Sequence, residues 1–396
     1  MKILVLSFYY RPDLCAGSFR TTALVESLRE RMPPGATIDV VTTLPNRYSS
    51  FTADAPELEH DGAVTISRIA LPAHQSGMLD QSRAFVTFAR AARERAGTTR
   101  YDIVFATSSR LMTAALGATI ARRVGAPLYL DIRDIFVDTI AEVAARPIAW
   151  SLSPFFSSIE RWTVGTARKV NLVSRGFAEY FGTRYPRQRF SYFTNGIDDE
   201  FAGSAGSPAQ GGERAAGAPL TVLYAGNLGE GQGLHAILPP LARRLAGRVH
   251  FQVIGDGGRK RALEQALAEA GVTNVELRPP VPRPRLLELY RAADVLFLHL
   301  NDYDAFRKVL PSKIFEYGAL GKPVWAGVAG HAAEFIRAEL DNAAVFPPCD
   351  ADAAVRALDS LAISDTPRSA FVAKYARAAI SRDMADDILA VAREGR

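Results

Sequence analysis

Short apolar runs typical of buried strands alternate with helical patterns along most of this 396-residue chain. In the first half the apolar runs lie at 2–8, 38–43, 64–69, 103–106 and 128–131, with helical patterns near 78–96 and 111–124. Strands that alternate with helices favour a parallel sheet covered by helices on both faces. The sequence therefore predicts a doubly wound α/β fold.

The same pattern begins again after 201–212, a stretch rich in Gly, Ala, Ser and Pro that is too poor in apolar residues to form a core. A chain of this length is expected to form two domains of about 200 residues each. We predict a first domain at 1–200, a flexible linker at 201–218, a second domain at 219–375 and a C-terminal helix at 376–396.

Composition sets broad limits on location and partners. Forty-seven basic against 42 acidic residues give a net charge of +5, which fits an anionic partner. The basic residues are dispersed, whereas a nucleic-acid-binding protein would gather them in one stripe. Cys15 and Cys349 form no metal-ligand spacing, and no apolar run approaches the roughly 18 residues of a membrane span. We expect a cytoplasmic protein that binds no nucleic acid, soluble or peripheral at the membrane.

The segment 307–324 carries the most specific chemistry. Ser312 is a good N-cap after a proline, and Gly321 before Pro323 is a good stop, so a short helix is predicted at 313–320. Free N–H groups at a helix start and the positive end of its dipole attract anions. The predicted start lies beside three cations, Arg307, Lys308 and Lys313. The pattern predicts a phosphate site.

Glu316, one turn into this helix, would repel a phosphate unless it accepts hydrogen bonds from neutral hydroxyls such as a ribose diol. The alternative is a purely structural role, in which the Glu316 carboxylate complements the positive end of the helix dipole. The helix lies between strand patterns at 293–300 and 323–326, which places its start at the carboxyl edge of a parallel sheet, where ligands bind. This order favours a nucleotide site.

The run Pro-Ser-Lys-Ile-Phe-Glu-Tyr at 311–317, followed by Ala-Leu-Gly-Lys-Pro-Val at 319–324, resembles the donor-site signature of retaining GT-B glycosyltransferases of family 4. It is most similar to the bacterial branch that builds O-antigen and capsule chains with N-acetylfucosamine-type sugars. The resemblance implies the GT-B fold, in which two Rossmann-like domains face each other across a cleft and the last helix crosses back to the first domain.

The resemblance also implies an activity. The chain would transfer a sugar, with retained configuration, from a nucleoside diphosphate donor such as UDP-HexNAc or a UDP-linked deoxy-amino sugar. The acceptor would be a saccharide or a lipid-linked saccharide in surface polysaccharide biosynthesis. No metal or other cofactor is expected, and Asp302 and Asp304, which form an Asp-x-Asp pattern, are interpreted as a solvated loop.

Further donor-site residues follow from the same resemblance. Gly17 lies in a loop that would face the donor phosphates, and Gly255, Asp256 and Gly257 would line the base or phosphate pocket. Asn227 and Gln232 stand where most of the wider family has an arginine and a lysine that grip the diphosphate. Lys308 stands where the wider family has a second glutamate. These departures leave the diphosphate charge to Arg307, Lys308 and Lys313, or to Arg259 and Lys260.

Arg133 and Asp134 follow a predicted strand, as a similar Arg-Asp pair does in the resembling branch. Arg133 could hold a phosphate, and Asp134 could orient the acceptor hydroxyl or take its proton. The alternative is a surface ion pair without a role in catalysis. With Lys313, these two residues are the predicted catalytic groups.

Two other functions remain open at this point. A nucleotide-sugar 2-epimerase can share the fold, although the sequence shows no clear second set of acid and base. A non-catalytic nucleotide- or anion-binding protein would also explain the positive charge. Basic-apolar segments near 80–95 and 146–161 suggest contact with the inner membrane surface, and packing on the sheet explains their apolar residues equally well.

Overall fold

The computed structural model describes residues 1–45, 54–72, 78–108, 111–135, 137, 146–202 and 217–395, with backbone only at 78–81 and 146–152. The predicted linker at 201–218 lies for the most part outside these residues. The chain divides into two compact units, Met1–Asn195 with Arg377–Arg396, and Gly196–Ala376.

Within the described residues of the first unit, eight strands form one sheet in the order β3-β4-β2-β1-β5-β6-β7-β8. All neighbours pair in parallel except β3 and β4, which are antiparallel. The strands are β1 (Lys2–Leu6), β2 (Thr37–Thr43), β3 (Leu58–Asp61), β4 (Val64–Ile69), β5 (Ile103–Thr107), β6 (Leu128–Ile132), β7 (Lys169–Leu172) and β8 (Phe190–Ser191).

The described part of the second unit contains a parallel sheet of six strands in the order β11-β10-β9-β12-β13-β14. Alternate residues of its strands enter two hydrophobic clusters on opposite faces, so both faces are buried. The strands are β9 (Leu220–Asn227), β10 (Val249–Asp256), β11 (Val275–Arg278), β12 (Val295–His299), β13 (Val324–Gly327) and β14 (Ala343–Phe346).

Helices connect the parallel strands and cover the sheets. They are α1 (Ala16–Arg31), α2 (Met78–Ala96), α3 (Leu111–Val124), α4 (Arg146–Thr166), α5 (Ala178–Arg184), α6 (Asp199–Ala202), α7 (Leu234–Arg244), α8 (Lys260–Glu269), α9 (Arg283–Ala292), α10 (Lys313–Ala319), α11 (Gly330–Glu339), α12 (Ala351–Asp359), α13 (Ser369–Lys374) and α14 (Arg377–Glu394). The predicted doubly wound α/β fold is confirmed, once in each unit.

The C-terminal helix α14 is part of the first unit's core. Met384, Ile388 and Leu389 are buried with residues of α1, β1 and β2. Tyr129 Oη donates a 2.7 Å hydrogen bond to Asp387 on α14. Helix and sheet therefore share one apolar cluster and at least one partly buried hydrogen bond.

The helix α14 lies within the predicted C-terminal helix at 376–396, and Tyr375 and Ala376 separate it from α13. Ala376 pairs with Ile197 in an isolated parallel bridge, and the Ile197 N–H donates to the Tyr375 carbonyl at 2.8 Å. Extended backbone is needed for that pairing, so α13 ends and α14 begins on either side of it.

Candidate functional site

The second unit has its topological switch point between β9 and β12, because the chain leaves these two adjacent strands toward opposite edges of the sheet. Ligands of open α/β sheets bind at the carboxyl ends of the strands at such a point. Gly226 and Asn227 end β9, and the connection after β12 leads to Lys313, the first residue of α10. The predicted donor-site helix therefore follows from this edge of the sheet.

Lys313 reaches back over the end of β9. A Cβ atom on residue 226 would stand 2.3 Å from Lys313 Cε and 2.9 Å from its Nζ, so only glycine leaves room for this side chain. Burial lowers the pKa of the Lys313 ammonium, while the nearby Glu316 carboxylate opposes that change. Within the described residues the ammonium has no hydrogen-bond acceptor and no carboxylate within 4.0 Å.

Glu316 lies one turn from Lys313 on α10, a spacing at which opposite charges commonly pair. Here they form no ion pair, and the hydrogen bond given to the Glu316 side chain comes from Tyr290 Oη at 3.4 Å. Tyr290 and Tyr317 are buried beside it with ring centroids 5.4 Å apart. Burial raises the pKa of both phenols, so they stay neutral. The carboxylate keeps acceptor capacity for hydroxyl groups.

The start of α10 differs from the predicted phosphate cradle. Ser312 occupies the N-cap position, but its backbone is already helical (φ −59°, ψ −27°) and its side chain makes no capping hydrogen bond. The Ile314 and Phe315 N–H groups donate to the Pro311 and Ser312 carbonyls at 3.2 and 3.1 Å. The expectation of free N–H groups was wrong at these two positions because a tight turn satisfies both, and this shifts the weight of anion binding to side chains.

The other predicted cations differ from Lys313. Arg307 is exposed and pairs with Asp304 at 3.2 Å and Asp302 at 3.5 Å, so the loop interpreted as merely solvated neutralises it. Lys308 ends the same 3₁₀ turn and is half-buried. Arg259 pairs with Glu230. Arg307 and Arg259 therefore form ion pairs with carboxylates, whereas, among the residues that the structure describes, Lys313 does not.

Asn227 and Gln232, the two amides that replace the expected cations, bond to each other. Asn227 Nδ2 donates to Gln232 Oε1 at 2.9 Å, and the Gly229 N–H donates to the same oxygen at 3.2 Å. Tyr224 Oη donates to the Asn227 carbonyl at 2.7 Å. The hydrogen bond between these two amides, which stand where the wider family has an arginine and a lysine, therefore closes the turn that follows β9.

The predicted glycine residues of the second turn are explained by packing within the unit. A Cβ atom on Gly255 would stand 1.8 Å from the Gly226 carbonyl oxygen, and one on Gly257 would stand 2.7 Å from that of Leu228. Asp256 accepts a 2.8 Å hydrogen bond from the Gly257 N–H. These glycines let the ends of β9 and β10 approach closely, beside Lys313.

In the first unit the structure brings Gly17 and Arg133 together, although they lie on different elements. A Cβ atom on Gly17 would be 3.7 Å from Arg133 Nη1, which donates to the Ala16 carbonyl at 3.4 Å. The Arg133 N–H donates to Ser108 Oγ at 3.1 Å. Burial lowers the pKa of the Arg133 guanidinium, and the Asp131 carboxylate opposes that change. A partly desolvated cation thus lies beside the start of α1.

Among the residues that the structure describes, Asp134 does not form the surface ion pair that was the alternative to a catalytic role. Its carboxylate has no hydrogen-bond donor and no cation within 4.0 Å among the described residues. The Asp134 side chain is exposed at the surface, yet desolvation by the surrounding protein raises its pKa to about 6, and the Arg133 charge opposes that rise. A carboxylate with this pKa is a better proton acceptor near neutral pH than an ordinary aspartate.

Near Arg133, the side chains of Arg20 and Asp131 form a buried ion pair that was not predicted from the sequence. Arg20 donates to both carboxylate oxygens of Asp131 at 2.9 Å, and Asn171 donates to the same carboxylate at 2.8 Å. Burial disfavours the charge, yet Arg20 holds the pKa of Asp131 below its usual value. An aspartate at the end of the apolar run 128–131 was the available signal, because a charge in a buried strand requires a partner.

The described residues contain no group of three or more His, Cys, Asp or Glu side chains that could hold a metal ion. In the same part of the chain, no helix combines the length and apolar character needed to cross a bilayer.

Two family models match consecutive parts of the chain. The glycosyl transferase 4-like domain matches residues 17–196, and the model named glycosyl transferases group 1 matches residues 211–379. The first covers Gly17 and Arg133, and the second covers Gly226 and Lys313. The chain is a GT-B glycosyltransferase. It combines a GT4-like first half with a group 1 second half.

Named relatives of this glycosyltransferase agree with the models. The colanic acid biosynthesis glycosyl transferase WcaI of Escherichia coli (strain K12) is 24% identical over 351 residues, 81% of this chain and 82% of that protein. Among solved structures, Anabaena Alr3699/HepE in complex with UDP and glucose has a TM-score of 0.65 at 16% identity, covering 98% of this chain and 100% of that one.

A further similar structure is WaaG, a glycosyltransferase involved in lipopolysaccharide biosynthesis. Its TM-score is 0.63 at 15% identity, and the alignment covers 99% of this chain and 98% of WaaG. At such identities the likeness to the two solved structures shows the fold of the glycosyltransferase.

Proposed function

We propose that this glycosyltransferase transfers a sugar from a uridine diphosphate donor to a saccharide or lipid-linked acceptor in surface polysaccharide biosynthesis. One observation carries the donor assignment: Lys313 and Glu316 lie one turn apart at the switch point and form no ion pair. A cation for phosphate oxygens and a carboxylate for hydroxyl groups are thus both kept available. A nucleoside diphosphate carries both kinds of group.

Lys313 has the electrostatic role in this proposal. As the bond between the sugar and the diphosphate breaks, negative charge develops on the leaving phosphate oxygen. A preorganised cation in a partly desolvated site can stabilise such charge by several kcal/mol. Lys313 is half-buried and has no carboxylate within 4.0 Å among the described residues, so it needs no release from an ion pair before it meets the phosphate.

Glu316 would accept hydrogen bonds from both ribose hydroxyls. A carboxylate offers two acceptor oxygens and no donor, which matches a diol that donates twice. Tyr290 keeps one edge of the carboxylate in place through its 3.4 Å hydrogen bond.

The first unit would supply the acceptor-side groups. The acceptor oxygen bonds to the anomeric carbon on the face that the diphosphate leaves, the bond from that carbon to the diphosphate breaks with its electron pair, and the acceptor proton passes to Asp134. The raised pKa of Asp134 suits it to this transfer. Arg133, beside the start of α1, would hold an anionic group of donor or acceptor.

The relatives support the class of substrate. The Anabaena structure holds UDP and glucose, WaaG acts in lipopolysaccharide biosynthesis and WcaI is named for colanic acid biosynthesis. We infer a HexNAc or deoxy-amino sugar from the resemblance of 311–324 to the N-acetylfucosamine branch. Retained configuration belongs to the same inference, as does transfer without a resident metal ion.

We also propose weak attachment of the first unit to anionic bilayers, where a lipid-linked acceptor would be found. On α2, Val86 is 55% exposed between the exposed cations Arg83 and Arg90, and on α4 Phe155 is 58% exposed. Apolar side chains among cations favour an anionic interface. The part of the predicted segment before 153 lies outside the side chains that the structure describes. Flotation with anionic liposomes tests this: protein that stays unbound at low salt contradicts it.

The experiment that tests the function is a transfer assay chosen by a binding screen. UDP-, GDP- and dTDP-sugars are compared for ligand-induced stabilisation, which grows with the ratio of ligand concentration to dissociation constant. The best donor is then incubated with lipid-linked saccharides, with and without EDTA, and the product's anomeric configuration is determined by NMR. A retained linkage formed equally with EDTA is expected. UDP release or sugar epimerisation without an acceptor product would contradict the proposal.

A further inference from the structure

His299 ends β12 at the switch point and is completely buried. It lies on the same strand face as Phe297, whose ring is 6.1 Å away and nearly parallel, and Phe346 packs at 6.2 Å. A Cβ atom on Gly327 would stand 2.3 Å from His299 Cδ2, so the neighbouring strand leaves space for the ring. The imidazole is the polar end of an otherwise apolar cluster.

Both ring nitrogens of His299 contact backbone groups of other loops. Nε2 accepts a 2.9 Å hydrogen bond from the Cys349 N–H, which can only donate. Nδ1 must then carry the ring proton and donate to the Gln232 carbonyl at 2.7 Å. Burial lowers the pKa of His299 to about 4, which agrees with a neutral ring at physiological pH. The tautomer is therefore fixed by its two partners.

Gln232 belongs to the turn 226–233, which contains four glycines and runs beside Lys313. Such a backbone has many accessible conformations and must be held by other groups. Two further residues that follow β12 also hold this turn: Asn301 donates to the Glu230 carbonyl at 3.0 Å, and Tyr303 Oη donates to the Glu230 carboxylate at 2.6 Å. His299 is the buried member of this set.

We propose that His299 is a positioning residue for donor binding: through the Gln232 carbonyl it fixes the turn 226–233 against the strand that leads to Lys313. The inference rests on the proposed function, since it assigns the turn to the donor's phosphate side. His299 touches no substrate in this account. It acts because Gln232, once held by its carbonyl, presents its side chain to Asn227 and the Gly229 N–H.

Three substitutions separate positioning from simple core packing. In His299→Asn the amide nitrogen replaces Nδ1 and keeps the bond to Gln232, while the bond to Cys349 is lost. In His299→Gln the amide oxygen reaches the Nε2 position and keeps the bond to Cys349, while the bond to Gln232 is lost. Each leaves one polar atom of its own buried, so they are a matched pair in stability. His299→Phe keeps the ring and removes both bonds.

Two measurements are made on the full chain: UDP affinity by calorimetry, and amide hydrogen exchange of 226–233 without ligand. We expect His299→Gln and His299→Phe to exchange faster in this turn and to bind UDP about three- to tenfold more weakly, the value of one ordinary hydrogen bond. His299→Asn should stay within about twofold of the parent in both. If His299→Gln does not fold, His299→Phe takes its place in the comparison with His299→Asn. If His299→Asn does not fold, parent-like exchange and UDP affinity in His299→Gln would overturn the inference.

Equal UDP affinity and equal exchange for the Asn and Gln variants would overturn the inference and leave His299 as a core residue. Lys313→Ala distinguishes this from failure of the proposed function. If Lys313→Ala weakens UDP binding but His299→Gln does not, the positioning role alone is wrong. If Lys313→Ala binds UDP as the parent does, the donor site is misplaced and the role of His299 falls with it.

Discussion

The end of the Lys313 side chain lies against Gly226, with Lys313 Cε 2.3 Å and Nζ 2.9 Å from the position that a Cβ atom on residue 226 would occupy. Lys313 begins α10, and Gly226 lies at the end of β9. The lysine side chain therefore fills the space that a side chain at 226 would occupy. Glycine at 226 is therefore what allows the ammonium to lie at the switch point.

Gly226→Ala is expected to displace the Lys313 ammonium and to weaken UDP binding about tenfold, in the range of one charge-assisted hydrogen bond. The backbone at 226 has φ +153°, so some loss of stability is also expected, and a melting curve separates the two effects. Gly258→Ala is the control, because no atom lies within 4 Å of its Cβ position. Parent-like affinity in the folded Gly226→Ala variant would show that Lys313 need not lie there.

Glu316→Gln tests recognition of the ribose. The amide keeps the shape but offers one acceptor oxygen in place of two, so UDP should bind roughly three- to tenfold more weakly. A 2′,3′-dideoxy nucleotide lacks the diol, and its affinity should change much less. Loss of a favourable charge near the helix start costs about 0.3–1 kcal/mol of stability, which leaves the protein folded. Equal weakening of both nucleotides would reduce Glu316 to a general effect on α10.

The lowered pKa of Lys313 predicts that UDP binding weakens at alkaline pH. Burial lowers the pKa of its ammonium below the usual 10.5, and the charged form, which binds phosphate, is lost as pH rises through that lowered pKa. The UDP dissociation constant should therefore rise on the alkaline side, at a pH below that of an ordinary lysine. Lys313→Arg should bind UDP without this alkaline loss, since its guanidinium stays charged. Identical profiles for parent and variant would place the titrating group elsewhere.

The raised pKa of Asp134 predicts that the rate of sugar transfer falls at acidic pH. Its pKa of about 6 means that the proton-accepting carboxylate is lost below that pH. The specificity constant kcat/KM should then fall roughly tenfold per pH unit below the pKa. Asp134→Asn should transfer sugar slowly and lack this fall, while UDP affinity stays at the parent value. An Asn variant that keeps both the rate and the acidic fall would remove Asp134 from the reaction.

Much of the fold could be predicted from alternating patterns, because strands such as β5 and β6 are fully buried and consist mostly of apolar residues. The helix α7 was missed because Pro239 and Pro240 lie inside it. The strand β14 was missed because its apolar run, Ala-Ala-Val-Phe, is only four residues long and does not by itself distinguish a strand from other buried structure. Local sequence identifies elements that are apolar by themselves, and tertiary packing supplies the others.

The location of the site could be predicted from the sequence. Which of its cations are paired with carboxylates could not. The sequence placed Arg307, Lys308 and Lys313 together and favoured Lys313 only for its position at the start of the predicted helix. Which cation is neutralised depends on whether a carboxylate from a nearby loop reaches it, as Asp304 reaches Arg307, and spacing does not show this. The bond from Asn227 to Gln232 is equally a property of the folded turn.

Lys313 is the central cation of the proposed donor site, and calorimetric titration of UDP into the parent, Lys313→Ala and Arg307→Ala measures its contribution to binding. Arg307→Ala removes an exposed cation that is already paired, so its UDP affinity should match the parent. Lys313→Ala removes the cation held at Gly226, and its dissociation constant should rise on the order of tenfold to a hundredfold. Unchanged affinity in Lys313→Ala, or a larger loss in Arg307→Ala, would contradict the account.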